Sequence, residues 1–399
     1  MGNNIPQGYK ATALGIIPQE WEVMRLGDIV SITSGESPSL YHLKAEGKYP
    51  YVKVEDLNNC EKYQESSREY SDDNNTTIKA GSIIFPKRGA SILNNKVRIA
   101  AKDIQMDSNM MAITPHTTIV DTEFLYIRIL HERLYRIADT SSIPQINNKH
   151  IIPYKIAVPP LAEQRKIAEV LGVWDEAIEK QARLIEKLAL RKRALMQRLL
   201  SAKLRLPGFS EPWKIHKLQE LFTERNETNR TDLPLLSITG DRGVILQTES
   251  EKRDTSNDDK SKYKRIAKGD IGYNTMRMWQ GRSALSGLEG IVSPAYTIVV
   301  PNTDVDGYYM SVLFKQPRLI YDFWTHSQGL VGDTLNCKYR DFGQVHICCP
   351  PLAEQKAITE VLTAADREIE LAKEKLDRLR RQKRGLMQQL LTGKKRVKY

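Results

Sequence analysis

The chain has 399 residues, of which 40% are hydrophobic and 27% charged, with a formal net charge of +11. That composition supplies enough apolar side chains for packed cores, excludes a disordered or fibrous chain, and at this length suits two or three domains. No apolar run approaches the roughly 18 residues of a membrane span, and the start MGNNIPQGYKATALG lacks an apolar signal core, so a cytoplasmic protein is expected. The four cysteines, Cys60, Cys337, Cys348 and Cys349, cannot build a disulfide framework and show no CxxC zinc spacing. Cys348 and Cys349 lie in a strand-like run, VHICC, and read as buried thiols.

Residues 1–158 mix short apolar runs (YPYVKV, GSIIF, KVRIA) with turn clusters, predicting a sheet and a few helices, one over residues 124–137. Residues 159–205 then carry apolar side chains in alternating steps of four and three. Ile167, Leu171, Trp174, Ile178, Ile185, Leu188, Leu195 and Leu199 form an a/d seam. Residues 206–349 return to strand and turn patterns, with a helix near YMSVLFKQPRLI. Residues 350–399 repeat the seam with Ile358, Leu362, Ala365, Ile369, Leu376, Leu379, Leu386 and Leu390. PPLAEQ opens each helical stretch at an offset of 191, and 22 of 45 aligned positions are identical between them. Lys192 and Lys383 occupy the same seam slot, where a polar residue can fix register. Prolines suit the helix starts, and Gly208 and Gly393 lie near the far ends. About 40 helical residues make a rod of about 60 Å.

Charge sharpens the pairing. Residues 1–158 and 206–349 each hold 18 basic and 18 acidic side chains, so all of the +11 lies in the two helical stretches. Residues 163–186 carry −2 and 187–205 carry +7; residues 354–377 carry −3 and 378–399 carry +9. Antiparallel pairing sets each acidic half beside the other's basic half. The expected fold is α+β: globular domains at 1–158 and 206–349, and long helices at 159–205 and 350–399 forming one antiparallel coiled coil. The whole is a tandem repeat with pseudo-twofold symmetry. The competing arrangement packs each helix on its own domain.

Catalytic signatures are missing: no P-loop, no Gly-rich dinucleotide fingerprint, no HExxH and no GxSxG. Val158 and Cys349, not Asn or Asp, precede the paired prolines, so these do not match the Asn/Asp-Pro-Pro-aromatic motif of amino-methylating enzymes. Asp258, Asp259 and Lys260 sit in a polar run that reads as an exposed loop. What remains are basic and amide-bearing clusters among glycines and aromatics. The first domain offers Lys87, Arg88, Asn94, Asn95, Lys96 and Arg98, then Gln145, Asn147 and Lys149. The second offers Arg242, then Arg277, Trp279, Gln280 and Arg282, then Lys338 and Arg340. Arg and Lys suit guanine edges and phosphates, and Asn and Gln suit adenine edges. Any one cluster alone is also a solvated loop, and because each domain is net neutral, DNA binding requires charge segregated to one face.

PPLAEQ opening a duplicated amphipathic helix resembles the specificity subunit of Type I restriction-modification systems. So do GIIPQEWEVMRLGDI, RLPGFSEPWKIHKL and SKYKRIAKGDIGYNTMRMWQG followed by GIVSPAYTIVVP. The resemblance spans nearly the whole chain. It implies that each globular domain is a target recognition domain for half of a split double-stranded DNA site. It implies that the helices set the gap, and that two adenine methyltransferase subunits and restriction subunits assemble on the chain. S-adenosylmethionine and ATP would belong to those partners, this chain binding no cofactor or metal and catalysing nothing itself. Recognition domains vary widely in that family, so the resemblance transfers no base-contacting residue. A remnant or stand-alone sequence-specific DNA-binding protein is the alternative. Half-sites one DNA turn apart, roughly 34–36 Å, would present the same side of the duplex.

Overall fold

Strand alternation builds the first sheet. The computed structural model describes residues 5–139, 143–240, 242–250, 257–329 and 334–398. Strand β1 (Glu22–Arg25) leads into β2 (Val30–Ser34), followed by β3 (Tyr63–Gln64), β4 (Ile83–Pro86), β5 (Arg98–Ala100) and β6 (Met110–Pro115). The five-stranded sheet has the order β2-β6-β4-β5-β3, antiparallel except for β5 with β3. Period-two alternation sends Ile83, Phe85, Met111 and Ile113 to one face and Ile84, Met110 and Ala112 to the other, and both faces are covered by apolar clusters. The expected helix over 124–137 is two helices, α1 (Thr122–Glu132) and α2 (Leu134–Ile137). Arg133 between them has φ +65°, left-handed backbone that breaks the helix. A short α3 (Asn148–Ile151) and β7 (Lys155–Val158), which pairs antiparallel with β1, complete this region.

Helix α4 then runs without interruption from Leu161 to Leu199. The second globular region repeats the first in outline. Strands β8 (Lys214–Lys217), β9 (Phe222–Glu224), β10 (Ile271–Asn274), β11 (Ser283–Leu285) and β12 (Tyr296–Pro301) precede α5 (Gly307–Leu313), α6 (Pro317–His326) and α7 (Tyr339–Gln344). The expected helix across YMSVLFKQPRLI is likewise split, at Pro317, which opens α6. The antiparallel order β9-β12-β10-β11 matches β2-β6-β4-β5 of the first region. β13 (His346–Cys349) pairs with β8 as β7 does with β1. Its alternation buries Cys349 and exposes Cys348, so only one of that pair is a buried thiol. Helix α8 (Leu352–Leu391) ends the chain.

The chain divides into two compact units: Met1–Ala182 with Glu374–Tyr399, and Arg183–Lys373. Each unit contains an antiparallel pair of helix segments. In the first, Asp175 pairs with Lys383 and Glu163 with Arg396. In the second, Lys192 pairs with Asp366 and Arg205 with Glu354. Both expected helix arrangements therefore coexist, because the paired helix ends also enter the cores of the globular regions. Ile167, Leu171, Leu390 and Leu391 are buried in the first core, and Leu199, Leu200, Ile358 and Leu362 in the second. Of the other seam positions, Leu188, Ala365 and Leu376 are buried, and Trp174, Ile178, Ile185, Leu195, Ile369, Leu379 and Leu386 half-buried.

PPLAEQ is an anchoring device. Glu163 is fully buried; it accepts from Trp21 Nε1 at 2.9 Å and from Arg396 Nε and Nη2 at 2.6 and 2.9 Å. These hydrogen bonds hold the Arg396 guanidinium above the usual arginine range. Glu354 receives the same set from Trp213 at 3.1 Å and Arg205 at 2.6 and 2.8 Å. Gln164 accepts from the Asp121 backbone N–H at 2.8 Å, and Gln355 from that of Asp306 at 2.9 Å. Asp121 and Asp306 are the N-caps of α1 and α5. One hexapeptide thus fixes a long helix to the sheet edge and to the neighbouring domain helix.

Candidate nucleic-acid interface

In each unit one sheet strand delivers a polar loop to a second loop distant in sequence. In the first, β4 ends at Pro86 and Lys87–Gly89 follow. Ile146 N donates to the Lys87 carbonyl at 2.9 Å, Gly89 N donates to that of Pro144 at 3.0 Å, and Arg88 bridges Gln145. The clusters around Lys87 and Gln145, more than fifty positions apart, therefore lie side by side. In the second unit β10 ends at Asn274, and Cys337 N donates to the Thr275 carbonyl at 2.8 Å. Thr275 and Cys337 hold the positions that Lys87 and Ile146 hold in the first. That contact sets the 275–282 loop beside Lys338. Gly240 joins them: a Cβ there would lie 2.4 Å from Arg282 Nη1, so the glycine backbone sits directly against the guanidinium.

The candidates differ in availability. Arg88, Asn94, Asn147 and Lys149 are exposed, whereas Lys87, Lys96 and Gln145 are half-buried. Burial, then the adjacent Arg88 charge, holds the Lys87 ammonium below the usual lysine range. Asn147 also caps α3 in a reciprocal pair with His150. Two candidates serve the fold. Arg98 donates to the carbonyls of Cys60, Val97 and Leu57 at 2.7–2.8 Å. Asn95 donates to the Leu130 carbonyl at 3.0 Å and accepts from Leu134 N at 2.8 Å, clasping the break between α1 and α2. In the second unit Arg242, Arg277, Gln280, Arg282, Lys338 and Arg340 are exposed. Arg242, Arg277 and Arg282 have no acidic partner among the described residues, whereas Arg225, Arg230 and Arg265 are all paired with carboxylates. Trp279 is pinned by donating to the Met276 carbonyl at 2.9 Å. Asp258 and Asp259 are exposed. Among the described residues no group of His, Cys, Asp and Glu could hold a metal ion, and no helix is long and apolar enough to cross a membrane.

Other residues of these surfaces escape a reading of the sequence. Tyr135 is exposed between Arg133 and Arg136; hydrogen bonds from Arg136 and then Arg133 hold its phenol below the usual range. The left-handed Arg133 that sets this group in place interrupts a run whose apolar spacing looks continuous. Tyr321 and Trp324 project from α6. The amphipathic pattern of PRLIYDFWTH, with Leu319 and Phe323 inward, was the available signal.

Residues 18–189 match the family described as the Type I restriction modification DNA specificity domain. The Type I restriction enzyme MjaVIII specificity subunit of Methanocaldococcus jannaschii is 24% identical, covering 96% of this chain and 94% of its own. The putative MjaX specificity subunit of the same organism is 26% identical over 98% and 97%. In fold, the chain is similar to the S subunit of the Type I restriction-modification system from M. genitalium. That match has a TM-score of 0.54 at 16% identity and covers 98% and 97% of the two chains. The HsdS subunit from Thermoanaerobacter tengcongensis aligns with a TM-score of 0.52 at 16% identity over 94% and 98%. The duplicated anchor, the paired long helices and the repeated sheet order thus accompany a likeness, in sequence and in fold, to Type I restriction-modification specificity subunits.

Proposed function

We propose that this chain is the DNA-recognition subunit of a Type I restriction-modification complex. Residues 1–158 and 206–349 act as two target recognition domains, each reading one half of a split duplex site. The stretches 159–205 and 350–399 set the gap and help recruit two adenine methyltransferase subunits, which restriction subunits join. Methyl transfer and cleavage, with S-adenosylmethionine and ATP, reside on those partners. The observation that carries this reading is the duplicated convergence of loops. In each unit the end of a corresponding strand meets a corresponding distant loop, and each surface presents cations without acidic partners among the described residues. Two net-neutral domains that concentrate free cations on one loop surface have the charge segregation that phosphate contact requires.

The test is single-molecule sequencing of modified adenines in DNA from cells expressing the methyltransferase with and without this chain. The expected result is one split motif, methylated only when the chain is present. No chain-dependent motif, with an active methyltransferase, would overturn the proposal in favour of a stand-alone DNA-binding protein.

A further inference from the structure

Helix α6 carries an aromatic surface that the reading above leaves unused. Leu319 and Phe323 enter the core, while Tyr321 is 60% and Trp324 46% exposed. Their ring centroids lie 5.5 Å apart at a 40° tilt. Neither the Tyr321 hydroxyl nor the Trp324 indole N–H has a hydrogen-bond partner among the described residues. Large aromatic rings presented to water with unused polar tips suit a partner that is flat and apolar on its face and polar at its edge.

The position of the helix says which partner. Ile320 lies 3.0 Å from where a Gly281 side chain would begin, so α6 packs directly on the turn holding Trp279 and Gln280. Beyond α6, Gln328 and Asn336 exchange backbone hydrogen bonds of 3.0 and 2.8 Å, and the next residue, Cys337, bonds Thr275. The shelf is therefore continuous with the loop that carries Arg277 and Arg282. Arg318 on α6 is a third exposed guanidinium, and none of the three has an acidic partner among the described residues. Asp322 is the one carboxylate on the helix and is half-buried. A protein docking on this shelf would have to neutralise three guanidiniums from its own side chains. A duplex supplies phosphates for them and a stackable face for the rings.

We propose that Tyr321 and Trp324 contact DNA at the second half-site, packing against a base step and partly unstacking it. Arg277, Arg282 and Arg318 hold the flanking phosphates. The proposal rests on the reading that residues 206–349 recognise DNA. The corresponding helix of the first unit, α2, presents Tyr135 between two arginines and no second ring, so the wedge belongs to one half-site only.

The experiment uses the full chain co-expressed with its methyltransferase and duplexes bearing 2-aminopurine at successive positions of each half-site. Wild type is expected to brighten the probe at one step of the second half-site and none of the first. Tyr321→Ala with Trp324→Ala should abolish that signal and weaken binding roughly tenfold or more. Tyr321→Phe with Trp324→Phe should retain both, and equal melting temperatures would show that the fold is kept. Unchanged DNA affinity in the alanine variant would overturn the proposal, and loss of methyltransferase copurification in that case would reassign the shelf to a protein contact. Failure of the wild-type complex to bind any split site would refute the recognition reading itself, whereas the wedge alone fails if binding is intact and no probe responds.

Discussion

Glu354 is nearly fully buried and takes three hydrogen bonds from Arg205 and Trp213, so its removal would leave a guanidinium and an indole without their acceptor. Glu354→Ala should cost about 2–4 kcal/mol in denaturant unfolding, and Glu354→Gln, which still accepts, clearly less. At the candidate interface the expectation is different in kind. Arg277→Ala and Arg282→Ala remove exposed guanidiniums and should leave stability unchanged while weakening binding at the second half-site. A loss equal across all sequences in a binding assay is expected of phosphate contacts, and a loss confined to one sequence would make them base readers instead. His131 offers a pH effect. Burial, then the neighbouring Arg128 charge, holds its imidazole below the usual range, so folding favours the neutral ring. Its contribution is complete above the unfolded value of about 6.5 and is lost as pH falls toward the lowered folded value. The melting temperature should drop less between pH 7 and pH 5 in His131→Gln than in wild type.

Among the elements, the two long helices show how a repeat settles its own register. Lys192 and Lys383 are copies of one residue, as are Asp175 and Asp366, and each lysine bonds the aspartate of the other helix. Shifting either pairing by a turn would strand a half-buried ammonium in an apolar seam, a cost far larger than the bridge itself returns. A double-mutant cycle on Lys383→Ala and Asp175→Ala should give a coupling of about 0.5–1 kcal/mol by thermal unfolding. The helix ends are held by domain side chains. Buried Arg128 donates to the last helical carbonyl, that of Leu391, at 2.6 Å, and Tyr9 donates to the Gly393 carbonyl at 2.9 Å. Gly393 has φ +69° and lies against Pro18 and Trp21, so it is fixed both by backbone conformation and by space.

For the whole molecule, the proposed reading makes the continuous helices a spacer that can be lengthened. Seven residues inserted into α4 and α8 at matched heptads preserve the seam and add about 10 Å of rise, roughly three base pairs of duplex. The methylated motif should then keep both half-sites and widen its indifferent gap, read by modified-adenine sequencing. Altered half-site bases would refute the spacer role. The basic end of α8 adds a further surface. Arg378, Arg380, Arg381 and Arg384 line an open groove of about 980 Å³ with Ile178, Lys383, Glu374 and Asp377. The matching stretch of α4 has Ala189 and Leu190 where α8 has Arg380 and Arg381, so this groove is not duplicated in charge.

What the sequence determined by itself was whatever repeats or is local. The 191-residue offset, the heptad seam and the charge polarity that implied antiparallel pairing are repeated in the chain, and a repeat survives without knowing what lies opposite. Tertiary structure decided what depends on partners far along the chain. PPLAEQ marked the helix starts, but nothing local showed that its glutamate binds a tryptophan 142 positions upstream in one copy and 141 in the other. Arg98 and Lys96 looked equivalent until the carbonyls of Leu57 and Cys60 claimed the arginine. The helix break at Arg133 follows from the clasp by Asn95, and the joining of the Lys87 and Gln145 clusters from two backbone hydrogen bonds. Those contacts form only when distant strands and loops meet, because an exposed polar side chain has no local preference strong enough to reveal which partner it will find.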